Sequence, residues 1–146
     1  ATSLGLHYFH PKYWFFDVNV NYFTNTYLDF NPLRRTDKAI AGLNPAVEAD
    51  AVLIDRITRQ ERLNGGVTVD ASIGKSIRID YKYYLNINLS ATNILNNRTL
   101  KTGGYEQSRF STINSNTDRA TYLDRFPPKY FYAYGATIYL NVGFRF

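Results

Sequence analysis

Hydrophobic and polar residues alternate along five stretches of this chain. From Trp14 to Phe23, Trp14, Phe16, Val18, Val20 and Tyr22 make one series, with Phe15, Asp17, Asn19, Asn21 and Phe23 between them. From Val67 to Ile77, Val67, Val69, Ala71 and Ile73 alternate with Thr68, Asp70, Ser72 and Gly74. From Tyr83 to Asn93, Tyr83, Leu85, Ile87, Leu89 and Ala91 alternate with Tyr84, Asn86, Asn88, Ser90 and Thr92. The last stretch sets Tyr134, Ala136, Ile138, Leu140, Val142, Phe144 and Phe146 against Gly135, Thr137, Tyr139, Asn141, Gly143 and Arg145. Leu4, Leu6 and Tyr8 form a shorter series near the start. A period of two marks a β-strand whose two faces meet different surroundings. It predicts an all-β chain with strands over residues 3–9, 13–24, 66–78, 82–93 and 132–146.

A soluble antiparallel sandwich also alternates, but three features favour a transmembrane antiparallel β-barrel. The longer stretches run about 10 to 15 residues, against about 5 to 6 for soluble strands. Their polar series is Asn, Ser, Thr, Gly and Asp, with few of the Lys and Glu that solvate a sheet. The apolar series ends in aromatics: Tyr8, Tyr13 and Trp14, then Tyr81, Tyr83 and Tyr84, then Phe144 and Phe146. A lipid-facing apolar band, aromatic girdles and a polar lumen are what an outer-membrane barrel requires.

The connections alternate in length. A tight turn lies around His10-Pro11-Lys12 and another near Ile79-Asp80-Tyr81-Lys82, while loops over residues 25–65 and 94–131 are long. Bacterial barrels keep periplasmic turns short and extracellular loops long. The chain therefore reads as an outer-membrane protein with extracellular long loops and a periplasmic C-terminus. Five strands do not close a barrel, because backbone groups in hydrocarbon must all be paired and single-chain barrels start at about eight strands. The expectation is the C-terminal part of a larger barrel domain, spanning residues 1–146.

In the first loop, Asn44 as N-cap and Pro45 at the first helical position predict a short helix near residues 50–62, with Ala51, Ile54 and Ile57 on one side. The second loop reads as polar and irregular, with Gly103-Gly104 and Pro127-Pro128 as breakers. Arg34, Arg35, Lys38, Arg56, Arg59, Arg62, Arg98, Lys101, Arg109, Arg119, Arg125 and Lys129 all fall in these loops. They suit phosphates of the outer leaflet or an anionic ligand. The favoured alternative is a solvated surface balanced by Asp37, Glu48, Asp50, Asp55, Glu61, Glu106, Asp118 and Asp124. Tyr122, Phe126, Tyr130, Phe131 and Tyr132 read as an outer aromatic girdle or, less readily, a contact surface.

Composition narrows the chemistry further. The 146 residues include no Cys, which excludes disulfides, thiolate metal sites and Cys nucleophiles. Lys and Arg number 17 against 12 Asp and Glu, for a net charge of +5, and mean hydropathy is −0.34. Tyr (13) and Phe (10) are far too frequent for a disordered chain. With no Met and Ala1 at its start, the chain reads as a processed product or a piece of something longer. His7 and His10, placed at or beside a periplasmic turn, lack metal-ligand spacing. No nucleophile elbow or phosphate loop is present. Asp17 and Asp70 could form a carboxylate pair, though lumen carboxylates usually bond neighbouring side chains. The sequons at Asn88 and Asn97 are discounted, because the first lies within a spanning strand. The expectation is no enzyme, no cofactor, no metal and no nucleic-acid partner.

Several runs together carry a resemblance. These are Pro11-Lys12-Tyr13-Trp14, Asn21-Tyr22-Phe23, Leu33-Arg34-Arg35-Thr36-Asp37, Gln60-Glu61-Arg62-Leu63 and Gly74-Lys75-Ser76. They continue with Ala91-Thr92-Asn93-Ile94-Leu95-Asn96-Asn97, Lys101 to Gln107, and Pro128 to Phe146. In this order they resemble the end of TonB-dependent receptors of the Bacteroidota type, closest to those with a carboxypeptidase-regulatory-like N-terminal domain. The resemblance implies a plugged barrel of about 22 strands, of which these are the last five. It also implies energised uptake of a scarce, bulky nutrient. The implied partners are the rest of the barrel, the plug domain, periplasmic TonB, outer-membrane lipid and lipopolysaccharide, and a surface lipoprotein. Asp17, Asn19, Asn21, Asp70, Asn86, Asn88 and Asn141 would face the lumen and plug. Leu140, Val142, Phe144 and Phe146 look like the signal read by the insertion machinery, with Gly143 departing from its usual glycine placement. A passive porin-like channel and a receptor-like scaffold in a multiprotein assembly are the alternatives.

Overall fold

The computed structural model describes residues 1–146, which divide into two compact units. The first comprises residues 1–25, 64–100 and 132–146; the second comprises 26–63 and 101–131. The chain is predominantly antiparallel β-sheet.

The first unit is one five-stranded sheet in the order β1-β2-β3-β4-β7, built from β1 (Thr2–His10), β2 (Trp14–Phe23), β3 (Gly66–Ile79), β4 (Tyr83–Thr92) and β7 (Thr137–Arg145). All neighbours pair antiparallel, and the sheet is open, with β1 and β7 at its edges. At the first turn Tyr13 N–H donates to His10 O at 2.9 Å, Pro11 supplies a fixed φ, and Tyr13 is left-handed (φ 62). At the second, Asp80 and Tyr81 both have positive φ (48 and 54), and Lys82 N–H donates to Ile79 O at 3.2 Å. Two positive φ values match the right-handed twist of the flanking strands.

Register sorts the side chains. The row Leu6, Val18, Ala71, Ala91 and Ile138 crosses the whole sheet, as does Phe16, Ile73, Leu89 and Leu140 from β2 to β7. Every residue of the apolar series that lies within a paired strand shares this face, and no part of the sheet unit covers it. Leu4 is 75% exposed, Leu6 72%, Ile138 69% and Leu140 66%. At the short-turn end Trp14 stacks on Phe16 with centroids 6.3 Å apart, and Tyr83 on Phe144 at 5.7 Å. Tyr84, expected in this girdle, instead lies on the polar face, because its partners there are Arg78 and Arg145. The Arg145 guanidinium sits over its ring at 5.0 Å.

Three expectations are corrected. The last strand begins at Thr137 rather than 132, because residues 133–136 bond elsewhere. Ala133 N–H donates to Leu100 O at 2.9 Å, and Ala136 N–H to Asn96 Oδ1 at 3.1 Å. The helix in the first loop, α1 (Glu48–Thr58), is capped at Val47 rather than Asn44 and ends at Thr58, short of residue 62. Asn44 Oδ1 instead accepts from Ala46 N–H at 3.0 Å, and Asn44 N–H is taken by Asp50. The second loop is not irregular: it holds β5 (Lys101–Tyr105), α2 (Asn116–Arg125) and most of β6 (Lys129–Tyr132), with β5 pairing β6.

The second unit contains the chain's buried cluster: Leu53, Ile57, Ile113 and Tyr122, with Ile40, Leu43, Phe110 and Leu123 packed around it. Tyr122 is therefore core, not girdle, and its hydroxyl donates to Ala39 O at 3.0 Å. Tyr130 is likewise bonded inside this unit, donating to Glu61 at 2.9 Å.

Candidate functional site

The polar face of the sheet is a ladder of short side chains held by the same register. Asp17, Asn19, Asn21, Asp70, Asn86, Asn88 and Asn141 all lie on it. They form several separate groups. Asn21 Nδ2 donates to Asp70 Oδ2 at 2.8 Å and reaches Thr68 Oγ1 at 3.3 Å, while Ser3 Oγ donates to Asn21 Oδ1 at 2.8 Å. Asp17 is bonded to the His7 ring and accepts from Ser72 Oγ at 2.9 Å. Ser76 Oγ donates to Asn86 Oδ1 at 2.6 Å. Asn88 stands between Gly74 and Asn141, and its buried Oδ1 has no donor within the chain. Asn19 lies beside Gly5, where an added Cβ would come within 2.5 Å of its Oδ1.

Asp17 and Asp70 are bonded to separate partners and do not form a working carboxylate pair. His7 is mid-strand, not at the turn: the hairpin register puts it opposite Asp17. That pairing was legible once the turn length was fixed, since three residues between His10 and Trp14 set the whole β1–β2 register. His10 is at the turn, where its Nδ1 accepts from Lys12 N–H at 3.1 Å. No group of three or more His, Asp or Glu gathers in metal-binding geometry.

The run Asn93 to Asn97 finishes the sheet where β3 outlasts β4. Asn93 and Asn96 are left-handed (φ 49 and 52), a conformation Asn tolerates better than most residues. Ile94 N–H donates to Val69 O at 2.8 Å and Asn97 Nδ2 to Val67 O at 3.2 Å, satisfying carbonyls of the β3 overhang. Asn93 Nδ2 donates to Tyr134 O at 2.7 Å and Asn97 O at 3.1 Å. This motif is structural wiring rather than a ligand site. Asn97 is fully engaged, its Oδ1 also accepting from Thr99.

In the second unit five of the basic residues are tied into the fold. Arg35 pairs with Glu106, which is almost fully buried and also accepts from Asn31 N–H at 2.8 Å. Arg34 is buried and donates to Phe126 O at 2.6 Å and Gln107 O at 3.2 Å. Arg119 holds Asp50 at 2.8 Å, and Arg125 holds Asp118 at 2.6 Å. Lys101 lies 3.4 Å from the centre of the Tyr130 ring. Arg34 and Arg35 are thus drawn into the fold rather than solvated, while Arg125 and Asp118 are the balanced surface pair expected, and nothing in their local sequence distinguishes the two cases. The Arg119 and Asn44 hydrogen bonds hold the Asp50 carboxyl below the usual carboxylate range. Burial pushes Glu106 up, but the Arg35 and Asn31 bonds and the nearby arginine charges outweigh it and hold it low. Burial raises the Tyr122 hydroxyl.

Gln60 to Leu63 forms the seam of this unit. Leu28 N–H donates to Glu61 O and Leu63 N–H to Thr26 O, both at 2.9 Å, and Gln60 Nε2 donates to Leu28 O at 2.7 Å. A cleft of about 580 Å³ opens beside it, lined by Tyr27, Arg56, Arg59, Gln60, Glu61, Arg62 and Leu123.

Comparison with known protein families, with curated proteins and with solved structures found no match.

Proposed function

We propose that the chain is part of an outer-membrane β-barrel transporter of the TonB-dependent receptor type, importing a scarce, bulky nutrient past a plug domain. The observation that carries this reading is the sheet's apolar face. It runs unbroken from β1 to β7 and lies exposed, while the chain's buried cluster belongs wholly to the loop unit. In water, each exposed Leu or Phe forgoes about 1.5 to 3 kcal/mol of burial, so this face calls for an apolar surrounding. From Trp14 to Tyr22 the strand advances roughly 27 Å at about 3.4 Å per residue, which at a tilt of about 40° rises about 20 Å and covers most of the apolar band of about 25 Å of such barrels. Aromatic rings at both ends of that span suit the two interfaces.

In hydrocarbon the edges β1 and β7 need partners, so the proposed barrel is completed by further strands. The polar face then meets the lumen. The unpaired Asn88 Oδ1 supports an outside donor there, the role proposed for a plug. Leu140, Val142 and Phe144 share the exposed apolar face, with the Phe146 ring 6.4 Å from that of Phe144, which supports the insertion-signal reading. The second unit sits extracellularly, and TonB acts from the periplasm. Because that unit has its own core, a second reading is a receptor-like scaffold presenting it to a lipoprotein.

The single Trp of the chain makes a direct test possible. In lipid vesicles, Trp14 fluorescence should be quenched more by bromines near the headgroups than by bromines at the acyl ends. Equal insensitivity to both would overturn the membrane reading. Uptake that stops when TonB is removed supports the importer, ion conductance without it supports a channel, and neither, with a stoichiometric lipoprotein, supports the scaffold.

A further inference from the structure

We propose that the cleft beside the Gln60–Leu63 seam is a binding site for a small, multiply charged anion bearing carboxylate or phosphate groups. Its volume of about 580 Å³ falls within the range of roughly 300 to 1,000 Å³ typical of ligand pockets. Arg56, Arg59 and Arg62 recur at intervals of three along its wall, joined by the half-exposed Tyr27. An arginine fork offers two parallel donors to a carboxylate or phosphate.

For Arg56 and Arg59 the ordinary explanations leave a remainder. Arg56 lies in the last turn of α1, where a cation complements the helix dipole. Arg59, the C-cap residue of the same helix, shares that interaction, but attraction to a dipole engages no guanidinium N–H of either residue. Elsewhere in the unit Arg34, Arg35 and Arg119 are tied to buried acceptors. Arg56 makes no ion pair, and Arg59 has only Asp55 at 3.5 Å, with both side chains more than half exposed. Such a pair in water contributes little and yields readily to a better acceptor. The one carboxylate lining the cleft, Glu61, is already occupied by the Tyr130 hydroxyl at 2.9 Å and the Lys101 ammonium at 3.7 Å. The local field is therefore positive. This inference goes beyond the transport reading and does not depend on it, since the cleft lies entirely within the second unit.

The test uses the full chain in non-ionic detergent at low ionic strength, titrated with citrate and with inorganic phosphate. Saturable binding of at least one probe is expected, weakening as salt screens the arginines. Arg56→Gln and Arg59→Gln should each weaken it about tenfold. Arg56→Lys, which keeps the charge but loses the fork, should recover only part of the loss. Arg109→Gln, at an exposed site outside the cleft, should change nothing. Vesicles with phosphate-rich anionic headgroups separate the sources: displacement of the probe assigns the group to lipid, and no displacement assigns it to a free solute. Absence of saturable binding by both probes, or binding unchanged in Arg56→Gln and Arg59→Gln, would overturn the proposal while leaving the Trp14 result untouched.

Discussion

Asp70 accepts the backbone N–H of Asn93 at 2.8 Å through one carboxylate oxygen and the Asn21 amide at 2.8 Å through the other. One side chain thus joins β2, β3 and the segment that ends β4. Asp70→Ala should lower stability by about 1 to 3 kcal/mol, because it strands a part-buried backbone donor. Asp70→Asn should cost less, since one acceptor oxygen remains. Hydrogen exchange at Asn93 and Ile94 checks this: protection unchanged in Asp70→Ala would remove Asp70 from the role.

Glycines 74 and 143 stand on the same polar face and should respond oppositely. A Cβ at Gly74 would meet the Phe15 ring at 2.0 Å, whereas at Gly143 nothing lies within 4 Å. Gly74→Ala is expected to cost about 1 to 3 kcal/mol through overpacking, and Phe15→Ala in the same chain should relieve part of it. Gly143→Ala should be near neutral. Thermal melting of the three variants beside the unchanged chain decides the matter.

If the sheet spans a membrane, charge tolerance follows the alternation. Val18 lies midway along the apolar span, so Val18→Arg should destabilise the inserted protein by roughly 2 to 4 kcal/mol. Ser90→Arg, on the neighbouring row of the opposite face, should cost much less. Denaturant unfolding from lipid vesicles measures both, and equal penalties would argue against one lipid face and one lumen face.

Acid should loosen the second unit. Asp50, Glu106 and Asp118 are all held below their ordinary values by hydrogen bonds from Arg119, Arg35 and Arg125 and from backbone N–H groups, against the opposing effect of burial on Glu106. Each carboxylate then binds protons more readily in the unfolded chain than in the folded one. Their stabilisation is present above the ordinary values of 3.8 for Asp and 4.5 for Glu and is lost as pH falls through the lowered folded values. Helical circular dichroism during melting, followed from pH 7 downward, should show a falling midpoint in this window. Glu106→Gln should flatten part of the fall.

Much of the sheet was legible because alternation is local. Trp14 to Tyr22 and Tyr83 to Ala91 declare their faces within a few residues, and the two tight turns set register across β1–β2 and β3–β4. The strand end at Thr137 was not legible. Residues 134 and 136 continue the alternation, yet their backbone is tied to Asn93 and Asn96, about forty positions away. Nor did the loops reveal their order: Asn44 looked like a helix cap, but its N–H is captured by Asp50.

The sequence by itself determined which residues share a face, because a period of two requires only the geometry of an extended backbone. Only the tertiary structure decided which charges are buried and which line a cleft. Arg34 reaches Phe126, 92 positions on, and Arg35 reaches Glu106, 71 positions on. Arg56 and Arg59, in equally polar sequence, meet no such acceptor. A cation is anchored or available according to which distant carbonyl or carboxylate folding brings to it, and no local pattern encodes that.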